Sequence, residues 1–328
     1  MFEFVYWLRM IAAAMITNSH FADIWPISAL AFGGHFGNCI YFFLSGFLLH
    51  SIHENFPKWY AKRIIRIYPA VWIASAINIL PTFTEDYGVM AYVHCFLFPT
   101  RFHFVAFVLI LYIFFYAFRY IQQKLRFNTL WAVLTIFIAY ILVYVFAFDK
   151  SYYHIDDVNE NWCRFMFAQA MLLGSYAREN YDRISSKVNA KNIVVFIVFT
   201  ILYFSVKLSL RHIPEASLFQ FVLPMIVCIY IYNFSIIFIK FEKSGVLERV
   251  NKYFGKFVKF MAGISFEIYL IQNPLITYFS TKSFPLRLIL VTVSIIIYAF
   301  LVHTIASFVQ KNIFKLPVFR KEKKEALK

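Results

Sequence analysis

Long apolar runs separated by short polar stretches make up nearly the whole chain. Near 4–24, 36–52, 65–82, 103–118, 129–147, 162–177, 192–209, 216–239, 260–280 and 286–309 they approach or reach the roughly 20 mostly apolar residues that a membrane-spanning helix needs. Ten such runs predict an all-α, polytopic integral membrane bundle of about ten transmembrane helices. The stretch "YVHCFLFPTRF" (92–102) falls between runs and reads as an amphipathic surface or re-entrant piece.

The polar stretches set an orientation. Segments 50–66, 119–128, 178–191, 240–259 and 311–328 hold 24 of the 32 basic residues, whereas "TFTEDYGV" and "FDKSYYHIDDVNENW" are acid-rich. Cationic loops stay on the cytoplasmic side, which predicts cytoplasmic N- and C-termini. We expect one transmembrane domain over residues 1–312 and a basic cytoplasmic tail over 313–328.

Composition agrees: the chain is 61% hydrophobic and 21% aromatic with mean hydropathy +0.66, above the roughly 45–50% apolar content of soluble domains. The net charge of +15 follows from the cytoplasmic loops, so no nucleic-acid partner is needed to explain it. The first run is too long and too polar in its middle for a cleaved signal peptide. Cys39, Cys95, Cys163 and Cys228 stand far apart without metal-ligand spacing. They read as small packing residues, and no metal site is expected. No internal repeat and no matched pair of Gly/Pro-broken helices is visible, which weighs against alternating-access transport.

Three stretches carry candidate chemistry. In "RMIAAAMITNSH", Arg9 and His20 are 11 residues apart, about 1,100° of helical turn and ~16 Å of rise, so they share one face. Ionisable groups in a spanning helix usually face the protein interior and are functional. The structural alternative has Arg9 snorkelling to the cytoplasmic interface and His20 capping the outer end. In "PKWYAKRIIRIYPAVW", Arg63 and Arg66 share a face if the helix has already begun. Two guanidiniums side by side suit a diphosphate, and Tyr68 offers a ring to a nucleotide base; a flank that only sets orientation explains the same charges. In "NCIYFFLSGFLLH", Ser45 and Gly46 interrupt the large residues and admit either another backbone or a narrow ligand.

In combination, Arg9 and His20, "FFLSGF" at 42–47 and "KRIIRIYP" at 62–69 resemble the bacterial membrane-bound acyltransferase family 3, the integral O-acyltransferases of cell-envelope glycans. "FHFVAFVLILY" (102–112), "FAQAMLLGSYA" (167–177) and "ISFEIYLIQNPLI" (264–276) are similar to further family segments in the same order. This chain has Gln272 where a histidine is common, and lacks the usual tryptophan after His103.

The resemblance implies transfer of an acyl group, acetyl first among them, from cytoplasmic acetyl-CoA to a sugar hydroxyl outside a bacterial cytoplasmic membrane. The acceptor would be an envelope glycan, an exopolysaccharide or a lipid-linked sugar. The diphosphate would sit on Arg63 and Arg66 with Tyr68 nearby. The pantetheine arm would pass Arg9 and the Ser45–Gly46 gap, and His20 would act as general base. An acyl-enzyme on His20, Ser19 or Ser45 is the alternative chemistry, and Glu267 is expected to pair with Arg9 or another cation. Tyr87, Tyr152, Tyr153 and Trp162 in the outer loops can stack on sugar rings or anchor at the membrane interface. From a different class, a transporter or flippase would use the same polar residues as a path without acyl transfer. A scaffold would use the basic patches for lipid headgroups.

Overall fold

The structure is a computed structural model that describes residues 2–79, 89–99, 102–157 and 162–314. These residues form twelve α-helices with short 3₁₀ turns, and no strand occurs among them. In order they are α1 (Glu3–Ser19), α2 (Gly34–Leu48), α3 (Phe56–Ile79), α4 (Val89–Tyr92), α5 (His103–Leu125), α6 (Thr129–Ala147), α7 (Trp162–Glu179), α8 (Ala190–His212), α9 (Val222–Lys243), α10 (Val246–Gly263), α11 (Ser265–Tyr278) and α12 (Leu286–Asn312).

Each of the ten predicted runs contains one helix. By length and composition alone, five of them, α5, α6, α8, α9 and α12, can cross a membrane. The end of the third run, most of "TFTEDYGV" and residues 315–328 of the tail lie outside the described residues. Two helices were not predicted. α10 occupies the basic segment 240–259, where charged residues break the apolar run although Leu247, Gly255, Val258 and Ala262 form a buried face. It follows Gly245, whose φ of 74° and hydrogen bond from its N–H to the Glu242 carbonyl (3.0 Å) end α9 in a left-handed turn. α4 leads into a π-helical turn, Val93–Leu97, inside "YVHCFLFPTRF".

The chain divides into two compact units. The first comprises Met1–Ala22, Ile27–His53 and Phe107–Gly263. Its core is built on α2, which packs on α1 and on α7, and glycines set both distances. A Cβ on Gly37 would fall 2.6 Å from the Ala12 carbonyl oxygen, one on Gly46 1.7 Å from that of Met171, and one on Gly174 1.9 Å from that of Phe43. α2 and α7 thus cross backbone to backbone at a reciprocal glycine pair, the way small residues bring membrane helices together. On the other side of α7, Tyr140, Tyr144, Phe148 and Trp162 form an aromatic cluster, with the Tyr144 hydroxyl donating to the Leu218 carbonyl (2.9 Å). Trp162 is therefore a core residue rather than a surface platform for sugars.

The second unit comprises Asp23–Pro26, Glu54–Ala106 and Ile264–Lys328. Here α3, α11 and α12 pack on one another. One face of α3, residues 68, 72 and 75, docks the π-helical turn: Tyr68 Oη donates to the Leu97 carbonyl (2.7 Å), Trp72 Nε1 to Phe96 (2.9 Å) and Ser75 Oγ to Cys95 (3.1 Å). These bonds satisfy carbonyls of irregular backbone along the middle of a long helix.

Candidate functional site

In the first unit the buried residues of α1 are Phe4, Val5, Leu8, Ala12, Ala13 and Ile16. Arg9, Ala13, Ile16 and His20 follow one another at spacings of four, three and four, a single stripe. Ala13 and Ile16 are 4% and 3% exposed, so the stripe between the two ionisable residues faces protein. Arg9 is half-buried, and its carbonyl accepts from Tyr41 Oη of α2 (3.4 Å). His20 caps the C-terminal end of α1, its backbone N–H bonded to the Thr17 carbonyl (3.1 Å), and is exposed. The helix thus puts Arg9 and His20 on one stripe whose middle faces protein, while His20 itself is exposed and caps the helix end, as the structural alternative in the sequence has it.

Around that helix end the polar groups are sorted. Ser19 Oγ donates to the Ile16 carbonyl (2.7 Å), which turns its proton away from any base. Thr17 Oγ1, His35 Nδ1 and Asn38 Oδ1 are buried with no hydrogen-bond partner, in a helix pair where Gly34 of α2 lies against Ser19 of α1. His35 Nε2 meets the Asp156 carbonyl (2.7 Å), and the Asp156 carboxylate pairs with Lys207 (2.9 Å). Burial pushes that carboxyl up, but Lys207 together with the neighbouring Tyr153 and His35 holds it below its usual value. This ties the loop between α6 and α7 to the start of α2.

Gly46 is filled by the backbone of α7: of the two uses the sequence left open for the small pair, helix packing accounts for Gly46, while Ser45 beside it is half-buried. At the far end of α2 the structure shows a network with no counterpart in the sequence reading. His50 Nδ1 lies 2.9 Å from Ser175 Oγ and its Nε2 3.3 Å from Arg119 Nη2. Arg119 donates to Gln122, Gln122 to Thr129 (2.8 Å), and Thr129 to Glu179 (2.5 Å). Burial, then the charges of Arg119 and Arg178, push the His50 pKa down to about 4.

In the second unit α3 begins at Phe56, so Arg63 and Arg66 are both helical and share a face. The Arg63 guanidinium lies over the Trp59 ring, 5.0 Å from its centroid, and Arg66 is exposed. Glu54 pairs with Lys62 and with Lys58 (3.9 Å) and also lies within electrostatic reach of Arg63. Tyr68 lies about 170° round the helix from the midpoint of the two arginines, and its hydroxyl is committed to Leu97. The structure does not bring Tyr68 to the arginine face; it braces the π-helical turn.

Glu267 of α11 is 6% exposed and lies 2.9 Å from His303 Nδ1 of α12. Its partner is therefore His303, within the alternative to Arg9 that the sequence left open. The pairing links residues 36 apart on different helices, which no spacing rule exposes. Gln272 is buried with Oε1 unpartnered, and His103 is the exposed first residue of α5.

The first unit thus carries an Arg–His stripe on α1, and the second two arginines near the start of α3; ionisable residues in membrane-embedded helices are usually functional. Residues 2–308 match the model of the acyltransferase 3 family, described as an acyltransferase domain. The chain belongs to that family and is a membrane acyltransferase. No curated protein and no solved structure matches it.

Proposed function

We propose that the chain is an acyl-CoA-dependent O-acyltransferase, with acetyl as the transferred group and a hydroxyl of a cell-envelope glycan, exopolysaccharide or lipid-linked sugar as the acceptor. It works in a bacterial cytoplasmic membrane, with the donor on the cytoplasmic side and the acceptor outside. The observation that supports this reading is the Arg9–Ala13–Ile16–His20 stripe of α1, whose middle residues are buried against protein, with a half-buried arginine at one end and an exposed histidine at the other.

Arg63 and Arg66 hold the donor's diphosphate, and Arg9 compensates charge along the arm. His20 takes the proton of the acceptor hydroxyl as the oxygen attacks the thioester carbon. The C–S bond breaks, and the departing thiolate recovers the proton from the imidazolium. Ser19 fits an acyl-enzyme poorly, because its proton is bonded to Ile16.

Equilibrium binding of acetyl-CoA to the detergent-solubilised protein tests the donor site. Hydrogen bonds to charged groups contribute about 1.5–3 kcal/mol each, so Arg63→Ala with Arg66→Ala should weaken binding by at least about a hundredfold while the protein stays folded. Unchanged affinity removes the arginines from the donor site. Absence of binding by the wild type favours the transporter or flippase reading, in which no acyl group moves.

A further inference from the structure

α12 carries three polar side chains on one stripe. His303, Ser307 and Gln310 are four and three residues apart, and each meets a partner within the second unit. His303 Nδ1 lies 2.9 Å from Glu267 Oε1, Ser307 Oγ lies 3.4 Å from His303 Nε2, and Gln310 Nε2 donates to the Arg66 carbonyl (2.8 Å). The carboxylate fixes the imidazole tautomer: Nδ1–H donates to Glu267, and the lone pair on Nε2 is left facing the serine hydroxyl. Carboxylate, imidazole and hydroxyl joined in this order activate serine nucleophiles on unrelated folds. Neutralising a buried glutamate would need only the histidine. It would not require a hydroxyl on the opposite ring nitrogen, and it leaves Glu267 Oε2 buried without a partner.

We propose that Ser307 is a nucleophile that accepts acyl groups from activated acyl donors, with His303 as its base and Glu267 as the positioning residue. Ser307 Oγ attacks the carbonyl carbon of an acyl thioester while His303 Nε2 takes the hydroxyl proton. The C–S bond breaks, the proton passes from Nε2 to the leaving thiolate, and an O-acyl serine, a free thiol and a neutral imidazole remain. Gln310 ties the stripe to the backbone of the α3 turn that carries Arg66. Its test needs no acceptor sugar.

The experiment incubates the full-length detergent-solubilised protein with p-nitrophenyl acetate, and in parallel with radiolabelled acetyl-CoA, in the absence of acceptor. A stoichiometric burst of nitrophenolate and an acetyl group on the peptide containing Ser307 are expected. Ser307→Ala should lose both. Ser307→Cys should retain the label as a thioester that neutral hydroxylamine removes, which shows that the site folds without the serine. His303→Gln should slow acylation about a hundredfold, the scale of general-base assistance. Glu267→Gln should slow it as well, and Glu267→Asp should restore it, which a purely structural carboxylate would not require. No burst, or acetyl on a residue other than Ser307, overturns the proposal even if glycan transfer proceeds. Acetylation of Ser307 by p-nitrophenyl acetate without acetyl-CoA binding upholds it while overturning the donor reading above.

Discussion

At the scale of single residues, polar groups gain their properties from where burial leaves them. His50 lies two residues beyond the end of α2, and burial beside Arg119 and Arg178 holds its pKa down to about 4, whereas an unfolded histidine titrates near 6.5. As pH falls below about 6.5 the unfolded chain takes up a proton that the folded chain refuses until about pH 4. Stability contributed by the neutral imidazole is therefore present above pH 6.5 and is lost between those values. Thermal melting in detergent should show the wild type losing more stability than His50→Gln between pH 7 and pH 4; parallel pH profiles would show that His50 is not held neutral. The Arg9–His20 stripe was legible in the sequence because a helix projects its own period directly onto space. The partners of Glu267 and His50 were not, since they come from helices 36 and 69 or more residues away.

At the scale of elements, every predicted apolar run holds a helix because continuous apolarity alone demands burial or lipid. α10 escaped because its buried face is intermittent: charges between Leu247, Val258 and Ala262 hide the helix from any test for unbroken apolar runs. The size of Gly46 was visible in the sequence, but the identity of its neighbour was not. A methyl group there would stand 1.7 Å from the Met171 carbonyl, so Gly46→Ala should force α2 and α7 apart and cost about 1–3 kcal/mol or more. Gly174→Ala should act alike, whereas Gly263→Ala, with nothing within 4 Å of its added carbon, should be nearly neutral. Equal melting temperatures for all three variants would contradict the close crossing.

At the scale of the whole molecule, the distribution of basic residues predicts one orientation. Ser151 lies in an acid-rich loop and Ser185 in a basic one, and both are exposed. A membrane-impermeant maleimide applied to intact cells should label Ser151→Cys and reach Ser185→Cys only after permeabilisation; the reverse order would invert the topology and put donor and acceptor on the wrong sides. The central claim is that His20, at the end of the α1 stripe, is the general base of acyl transfer. The most direct measurement incubates the purified protein with radiolabelled acetyl-CoA and an envelope glycan extract, comparing wild type with His20→Ala. General-base assistance accounts for about 10²–10⁴-fold in rate, so the wild type should label glycan and the variant should lose that label by this factor while binding acetyl-CoA unchanged. Glycan labelling that persists undiminished in His20→Ala would contradict the account.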